Sequence, residues 1–293
     1  MTSAGSDGPM RVGSRIADCL GDLGLRAAVS EVRLGLGYTA VRLADGRTGL
    51  AYTFREAGGS GCSPFRGLRP LSGRLASDLL PLIESADALE AAVGLACANA
   101  LADTTGAQAC EGDTLEHLDL RQEDEVAMLG HFCPLVARLQ ERVHSLTVFE
   151  RIARPEGHLR PTSEAPEALR RCQVALITAT SIINHTIDSL LESARGCREV
   201  AILGASTPLV PSAFHGTPVT LLSGVQVRDP EAVLRIVSEG GGMRWLGPHV
   251  RKVSIRLGGR GSARREDGRA GGGFSPASPP GDNRPPVHDL EEP

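Results

Sequence analysis

The chain has 293 residues, of which 41% are hydrophobic and 23% charged, so it holds enough apolar material for two ordinary globular domains. Its formal net charge of −4 and its 3% aromatic content argue against nucleic-acid binding, which uses clustered basic side chains or aromatic stacking platforms. Residues 1–9 lack the pattern of a signal peptide, and no apolar run approaches the ~20 residues of a membrane-spanning helix, which favours a cytoplasmic protein.

The N-terminal part, residues 12–109, is predicted to be an α+β domain in which strands precede helices. Asp45-Gly46 is a hairpin signal between the second and third strands, and residues 58–73, rich in Gly, Ser and Pro, are predicted to form a loop. The predicted elements are a helix at 14–23, strands at 29–36, 38–43 and 50–54, and helices at 75–83 and 86–102.

An acidic stretch at 110–125 is predicted to be a linker, and beyond it the pattern changes. Short, wholly apolar strands alternate with amphipathic helices over residues 126–257, which predicts a Rossmann-like domain with a parallel sheet covered on both faces. Residues 258–293 are rich in Gly and Pro and show no periodicity, which predicts a disordered tail. The predicted strands are 126–129, 146–149, 174–178, 200–203, 219–222 and 250–255, and the predicted helices are 134–142, 184–194 and 230–239.

Seven widely spaced cysteines include no CxxC pair. An odd number at such spacing predicts neither a disulfide framework nor a closed structural zinc site. Most of these cysteines are therefore predicted to be buried as small apolar side chains.

Small and polar residues follow four consecutive predicted strands, and a fifth predicted strand ends in Ser223-Gly224. In an open parallel sheet, ligands bind outside the carboxyl ends of the strands. Small residues there let a ligand approach the backbone, and hydroxyl groups together with helix N-terminal amides suit an anion or a nucleotide. The predicted ligand-binding residues are Gly130, Glu150, Thr178, Thr180, Ser181, Asn184, Gly204, Ser206 and Thr207.

Several of these residues also have a purely structural interpretation. Glu150 lies 20 residues after Gly130, the spacing of a ribose-binding acid, but the chain lacks a GxGxxG fingerprint, and a solvated acid at a strand end is the alternative. Asn184 could be a helix N-cap, and the hydroxyl groups of 178–181 could satisfy turn amides.

Histidines near three predicted strand ends raise a metal site as a second candidate. Imidazole and thiolate suit zinc or another transition metal, so His131, Cys133 and His185 are the candidate ligands, with His215 near the same edge. Their spacing fits no closed site, and a hydrogen-bonded structural histidine is the alternative. His131 and His185 are also the candidate acid/base residues. A serine hydrolase is not favoured, because Ser206 lies outside any GxSxG elbow.

A set of short motifs, spread over residues 12–256, resembles one known family. The motifs are GLGYTAV (35–41), GLAYT (49–53), ACANA (96–100), GHF (130–132), FER (149–151), ITATS (177–181) with NHT (184–186), and GASTP (204–208) with Pro211. Together they are similar to the putative heavy-metal chelation domain family, in which an enolase-N-terminal-like domain precedes a Rossmann-like one. One departure is Cys133 between Phe132 and Pro134, where the family pattern has the proline directly after the aromatic residue.

The resemblance implies a site in the cleft between the two domains and a role in metal handling or in the synthesis of a metal chelator. The leading hypothesis is a small-metabolite-binding protein, acting as an enzyme, in which the residues at 178–184 bind an anionic group and Glu150 positions a hydroxyl. The alternative is a non-catalytic carrier that holds a transition metal or its chelate through His131, Cys133, His185 and Glu150. The expected partner is a small molecule or metal chelate, and a homo-oligomer is compatible with the sequence.

Overall fold

The computed structural model describes residues 11–55, 65, 67, 69–102, 109–152, 154–155, 157 and 159–258. The predicted tail lies outside the described residues except for Gly258, as do residues 1–10, Cys62 and much of the predicted loop at 58–73. No helix within the described ranges is long and apolar enough to cross a membrane.

Helices are distributed along the whole described chain. The α-helices are α1 (Val12–Gly24), α2 (Ala76–Leu79), α3 (Ala88–Leu101), α4 (Cys133–Gln140), α5 (Ala165–Leu169), α6 (Thr180–Ile183), α7 (Ile187–Ser193), α8 (Pro230–Ser238) and α9 (Met243–Leu246). Short 3₁₀ turns lie at Leu80–Glu84, Thr114–Glu116, Thr162–Glu164, Ala194–Gly196, Pro211–Phe214 and Gly247–His249.

The strands form two sheets. They are β1 (Val29–Leu34), β2 (Tyr38–Leu43), β3 (Thr48–Tyr52), β4 (Ala109–Glu111), β5 (Glu125–Leu129), β6 (Ser145–Glu150), β7 (Leu159–Pro161), β8 (Val174–Thr178), β9 (Glu199–Leu203), β10 (Leu221–Val227) and β11 (Val250–Arg256). Strands β1, β2 and β3 make an antiparallel sheet in that order, and the larger sheet has the order β4-β11-β10-β9-β8-β5-β6-β7.

Helix α3 supports the small sheet from one side. Asp87 caps its N-terminus by accepting a hydrogen bond from the backbone N–H of Leu89 at 2.8 Å. Nearly every residue of α3 is buried, and its Ala-rich sequence leaves little side-chain bulk. Strand β3 therefore packs directly on the helix backbone, so that a Cβ at Gly49 would lie 2.2 Å from the carbonyl oxygen of Ala96. On its other face, the small sheet packs against α8.

Alternate residues of the parallel strands enter two different cores. In β5, Val126 and Met128 face one core, and Ala127 and Leu129 face the other. The second of these cores is continuous with the interior of the N-terminal part, where it includes Leu95 of α3. The described residues consequently pack as one compact unit, and the independent folding of the predicted domains stays a prediction.

The parallel strands have the order β7-β6-β5-β8-β9-β10, which is that of doubly wound nucleotide-binding sheets. After β5, the chain adds β6 and β7 on one side of the sheet, and after β8 it adds β9 and β10 on the other side. The carboxyl ends of β5 and β8 therefore flank the point where the topology reverses, which is the usual ligand crevice of such sheets.

The predicted parallel sheet is extended at one edge by two antiparallel strands. Strand β11 pairs antiparallel with β10, and β4 pairs antiparallel with β11. The predicted strand end at Ser223-Gly224 is wrong, since these residues lie inside β10 and pair with Ser254 and Val253. The antiparallel partner continues the ladder beyond the apolar run that marks the strand in the sequence.

Three further local expectations need correction. The helix predicted at 184–194 begins only at Ile187. His185 adopts a left-handed backbone conformation with φ of 58°, which separates α6 from α7. The predicted linker at 110–125 contributes the end of β4, a 3₁₀ turn and the buried side chain of Leu115. The prediction that most cysteines are buried is wrong for the described ones, of which three are exposed: Cys19, Cys110 and Cys133.

Candidate functional site

Two glycines and the ring of Phe132 lie close together at the carboxyl ends of β5 and β9. Gly130 and Gly204 both have positive φ, 89° and 111°, a conformation that favours glycine. A Cβ at Gly130 would lie 3.1 Å from the Cβ of Thr178, and one at Gly204 would lie 3.6 Å from the ring of Phe132. A side chain at Gly130 would crowd Thr178, and at both positions the positive φ would strain any residue other than glycine.

A pair of threonine hydroxyls lies at the carboxyl end of β8. The Oγ1 atoms of Thr178 and Thr180 are 3.0 Å apart, and both residues are partly buried. One hydroxyl of such a pair donates to the other, which leaves one proton and several lone pairs for a third group. Ser181 differs, because its buried hydroxyl donates to the carbonyl oxygen of Thr178 at 2.6 Å and so holds the turn.

Glu150, at the end of β6, is engaged with the backbone of two loops. Its Oε2 accepts a hydrogen bond from the N–H of His131 at 3.0 Å, and its Oε1 accepts one from the N–H of Arg151 at 2.8 Å. The carboxylate therefore fixes the loop after β5 that carries His131, whose side chain is exposed. Each oxygen keeps a further lone pair with which a ligand hydroxyl could bond.

Arg151 is a candidate site residue that is not among the predicted ones, although it belongs to the FER motif. Its guanidinium carbon lies 5.1 Å from the ring centroid of Phe54, which follows β3, so a cation–π contact joins the two sheets. Phe54 is edge-on to Tyr52 at 5.2 Å, and Tyr52 is edge-on to Tyr38 at 5.9 Å. Burial and the neighbouring Tyr52 raise the pKa of Tyr38 to about 12, so its phenol is neutral at physiological pH.

The loop after β9 forms hydrogen bonds with the N-terminal part. The hydroxyl of Ser206 accepts a hydrogen bond from the N–H of Tyr52 at 2.8 Å, and the side-chain amide of Asn99 donates to the carbonyl oxygens of Leu50 and Ser206 at 2.7 and 3.2 Å. Within the described ranges, the Oγ1 of Thr207 and the Oδ1 of Asn99 are buried without a hydrogen-bond partner. Ser206 thus orients the loop, and the neighbouring Thr207 has a buried hydroxyl without a hydrogen-bond partner among the described residues.

The segment at 184–186 separates α6 from α7. The Nε2 atom of His185 lies 2.8 Å from the carbonyl oxygen of Ser85, which ties this turn to the N-terminal part. Asn184 ends α6 and is not a helix N-cap; its Oδ1 accepts hydrogen bonds from the N–H and the hydroxyl of Thr186, at 3.2 and 2.7 Å. His215 is exposed, and its carbonyl oxygen accepts a hydrogen bond from the guanidinium of Arg15.

Comparison with known proteins identifies the family. One family model, described as "Putative heavy-metal chelation" and called DUF364, matches residues 113–256. A second model of the same description, DUF4213, matches residues 17–102. The chain belongs to this putative heavy-metal chelation family.

Solved structures of this family share the fold. A DUF364 protein of unknown function from Pyrococcus horikoshii is 23% identical, with a TM-score of 0.71 over 84% of this chain and 100% of that one. Another, from Desulfitobacterium hafniense, is 25% identical, with a TM-score of 0.68 over 82% and 97% of the two chains. An uncharacterized protein of Methanocaldococcus jannaschii is 24% identical over 162 residues, 54% of this chain; the match spans only 62% of that relative.

The heavy-metal description of the family can be tested against the side chains. Within the described part of the chain, no three His, Cys, Asp or Glu side chains gather closely enough to hold a metal ion, and His131, Cys133 and His185 do not form such a group. Cys133 is exposed, with its thiol 3.8 Å from the carbonyl oxygen of His131. The described donors therefore do not fit a resident metal ion of this putative heavy-metal chelation protein.

Proposed function

We propose that the chain binds a small anionic ligand at the carboxyl edge of β5, β6, β8 and β9, and that this ligand is a metal chelator or its metal complex. The observation that carries the proposal is the hydroxyl pair of Thr178 and Thr180, 3.0 Å apart at the topological reversal of the sheet. Gly130 and Gly204 flank the pair with backbone that a ligand can approach closely.

Arg151 offers a positive charge to an anionic ligand at this edge, beside the carboxylate of Glu150. The exposed guanidinium of Arg151 makes no ion pair with any described carboxylate, and it follows β6, two strands from β8. Because neighbouring strands are ~4.8 Å apart, the Arg151 and Thr178 ends are separated by about 10 Å across the sheet. A ligand with carboxylates at both ends, of the size of a small polycarboxylate, spans that distance, and guanidinium and hydroxyl groups are suitable donors for it.

The metal, in this proposal, is held by the donors of the ligand. His185 contacts the carbonyl oxygen of Ser85, and both oxygens of Glu150 already accept backbone N–H groups. His131 remains the candidate acid/base residue of an enzyme, because Glu150 fixes the backbone from which it projects. A carrier would use the same edge for binding without turnover.

Replacing Thr180 by valine is expected to weaken ligand binding by roughly three- to tenfold, because one uncharged hydrogen bond is lost while the side-chain shape is kept. The measurement is isothermal titration calorimetry of the full chain with citrate and with its Cu(II) and Zn(II) complexes as probes. Arg151→Ala should weaken binding by about tenfold or more, since it removes a charge-assisted contact.

Thr220→Val is the matched control for this experiment. Thr220 lies at the opposite edge of the sheet, where its hydroxyl donates to the carbonyl oxygen of Val200 at 3.1 Å and accepts from its N–H at 3.0 Å. This control should lower stability and leave the affinity unchanged. Equal affinities for wild type and Thr180→Val would make Thr180 a structural cap, and failure of every probe to bind the wild type would refute the anionic ligand.

A further inference from the structure

Two cysteines distant in sequence meet at the amino-terminal edge of the large sheet. The Sγ atoms of Cys172 and Cys197 are 3.5 Å apart, which is van der Waals contact, and both thiols face the carbonyl oxygen of Leu169 at 3.7 and 3.3 Å. Cys172 is 7% exposed and Cys197 is half-buried. The candidate ligand site lies at the other end of the same strands, so this pair has no part in it.

The register of the sheet explains why the two thiols meet. Val174 of β8 pairs with Glu199 of β9, and Cys172 and Cys197 lie two residues before these partners, with the same separation of 25 residues. The alignment continues outside the strands, because the N–H of Arg198 donates to the carbonyl oxygen of Gln173 at 2.9 Å.

This alignment suits a covalent bond between the two sulfurs. Residues in register on adjacent parallel strands point to the same face, and their Cα atoms are about 5 Å apart, within the 4.4–6.8 Å range of disulfides. The thiols also influence each other's ionisation. Their mutual hydrogen bond lowers the pKa of Cys172 and raises that of Cys197, so Cys172 ionises first.

We propose that Cys172 and Cys197 form a reversible intramolecular disulfide with hydrogen peroxide as the oxidant. The Cys172 thiolate attacks one peroxide oxygen, the O–O bond breaks, and hydroxide leaves, so that the sulfur becomes a sulfenic acid. The Cys197 sulfur then attacks the Cys172 sulfur, the S–S bond forms, the S–O bond breaks, and the released oxygen leaves as water with the Cys197 proton. The protein loses two electrons, and the peroxide is reduced to two molecules of water.

The disulfide would join the amino ends of β8 and β9 and close a loop of 25 residues. Such a cross-link restricts the unfolded chain, so the oxidised protein should melt about 5 °C above the reduced protein. A small-molecule dithiol should reverse both the bond and the shift, because Cys197 is only partly buried and disulfides are reduced by thiolate attack on sulfur.

The test is to treat the reduced full chain with hydrogen peroxide, to quench with catalase, and to block the remaining thiols. Mass spectrometry of the non-reduced digest should then show one peptide pair joined through Cys172 and Cys197, 2 Da lighter than the two thiol forms. Cys197→Ser should lose this linked pair, and Cys110→Ser, at an exposed cysteine, should keep it.

Three results would overturn the proposal. One is recovery of both thiols in alkylated form after the exposed cysteines have been oxidised. Another is linkage of either cysteine to a different partner. The last is an oxidised wild-type chain with the linked pair but without a higher melting temperature, which would contradict a bond formed within the native fold. Since these measurements use the wild-type chain, they decide the question even if Cys197→Ser fails to fold.

Discussion

Replacing Arg198 by alanine is expected to lower the free energy of unfolding by about 3 kcal/mol. The guanidinium of Arg198 donates to both carboxylate oxygens of Asp124, at 2.8 and 2.7 Å, and the side chain of Asp124 is only 1% exposed. In the variant, the buried carboxylate keeps a hydrogen bond from the N–H of Arg121 at 2.7 Å but loses its countercharge. A buried charge without its partner is much less stable than the pair, so the native state is destabilised.

Arg195→Ala is the matched control, because Arg195 pairs with Glu192 at 2.5 Å on the surface, where both side chains are more than half exposed. Exposed ion pairs contribute ~0–1 kcal/mol, so this variant should unfold at nearly the wild-type urea concentration. The comparison uses urea unfolding of both variants at neutral pH and low salt. A loss below 1 kcal/mol for Arg198→Ala would mean that water replaces the guanidinium and that the Asp124 pair does not hold the sheet edge.

The ion pair of Asp124 and Arg198 explains why the acidic stretch at 110–125 is wrongly interpreted from the sequence as solvated. Acidic residues with few apolar neighbours usually mark solvated segments, yet Asp124 is buried and Leu115 lies in the core. The partner of Asp124 is 74 residues away in the sequence, so no local pattern records the contact. Strand β4 is also difficult to predict from the sequence, because an edge strand of three residues is too short to show an apolar periodicity.

The bounds of the interior strands β5 and β8, in contrast, can be predicted from the sequence. Strand β8 has the predicted bounds, 174–178, and β5 differs from its prediction by one residue, because strands covered on both faces are near-continuous apolar runs in the sequence. Strand β10 was less predictable, since Ser223 lies in its interior. Its hydroxyl forms hydrogen bonds with the hydroxyls of Ser254 and Thr114, at 3.0 and 2.7 Å. These partners allow a polar residue inside the strand, at a position that the sequence pattern predicts to be the strand end.

The candidate site shows the same division between local and long-range information. Hydroxyl and glycine positions at strand ends follow from the alternation of strands and helices, so the sequence indicates Thr178, Thr180 and Gly130. Arg151 contacts Phe54, which follows β3 of the small sheet. Only the three-dimensional packing brings these two side chains together, because they are far apart in the sequence.

Gly49→Ala is expected to destabilise the protein by about 3 kcal/mol, because β3 lies directly on the backbone of α3. The added Cβ would lie 2.2 Å from the carbonyl oxygen of Ala96 and 2.3 Å from the backbone nitrogen of Ala100. Backbone atoms of a buried helix cannot move aside as a side chain can, so the strand itself must shift. That shift would also lengthen the hydrogen bond between Asn99 and Leu50.

Gly21→Ala is the contrasting substitution, since nothing lies within 4 Å of a Cβ at this position of α1. Alanine favours the helix and restricts the unfolded chain, so this variant should gain about 0.5–1 kcal/mol. Urea unfolding of the two variants separates these opposite signs. Equal stabilities of Gly49→Ala and the wild type would mean that α3 and β3 can separate by an ångström or more without cost. The close contact between helix and strand would then not be what fixes the Asn99 and Ser206 hydrogen bonds beside the candidate site.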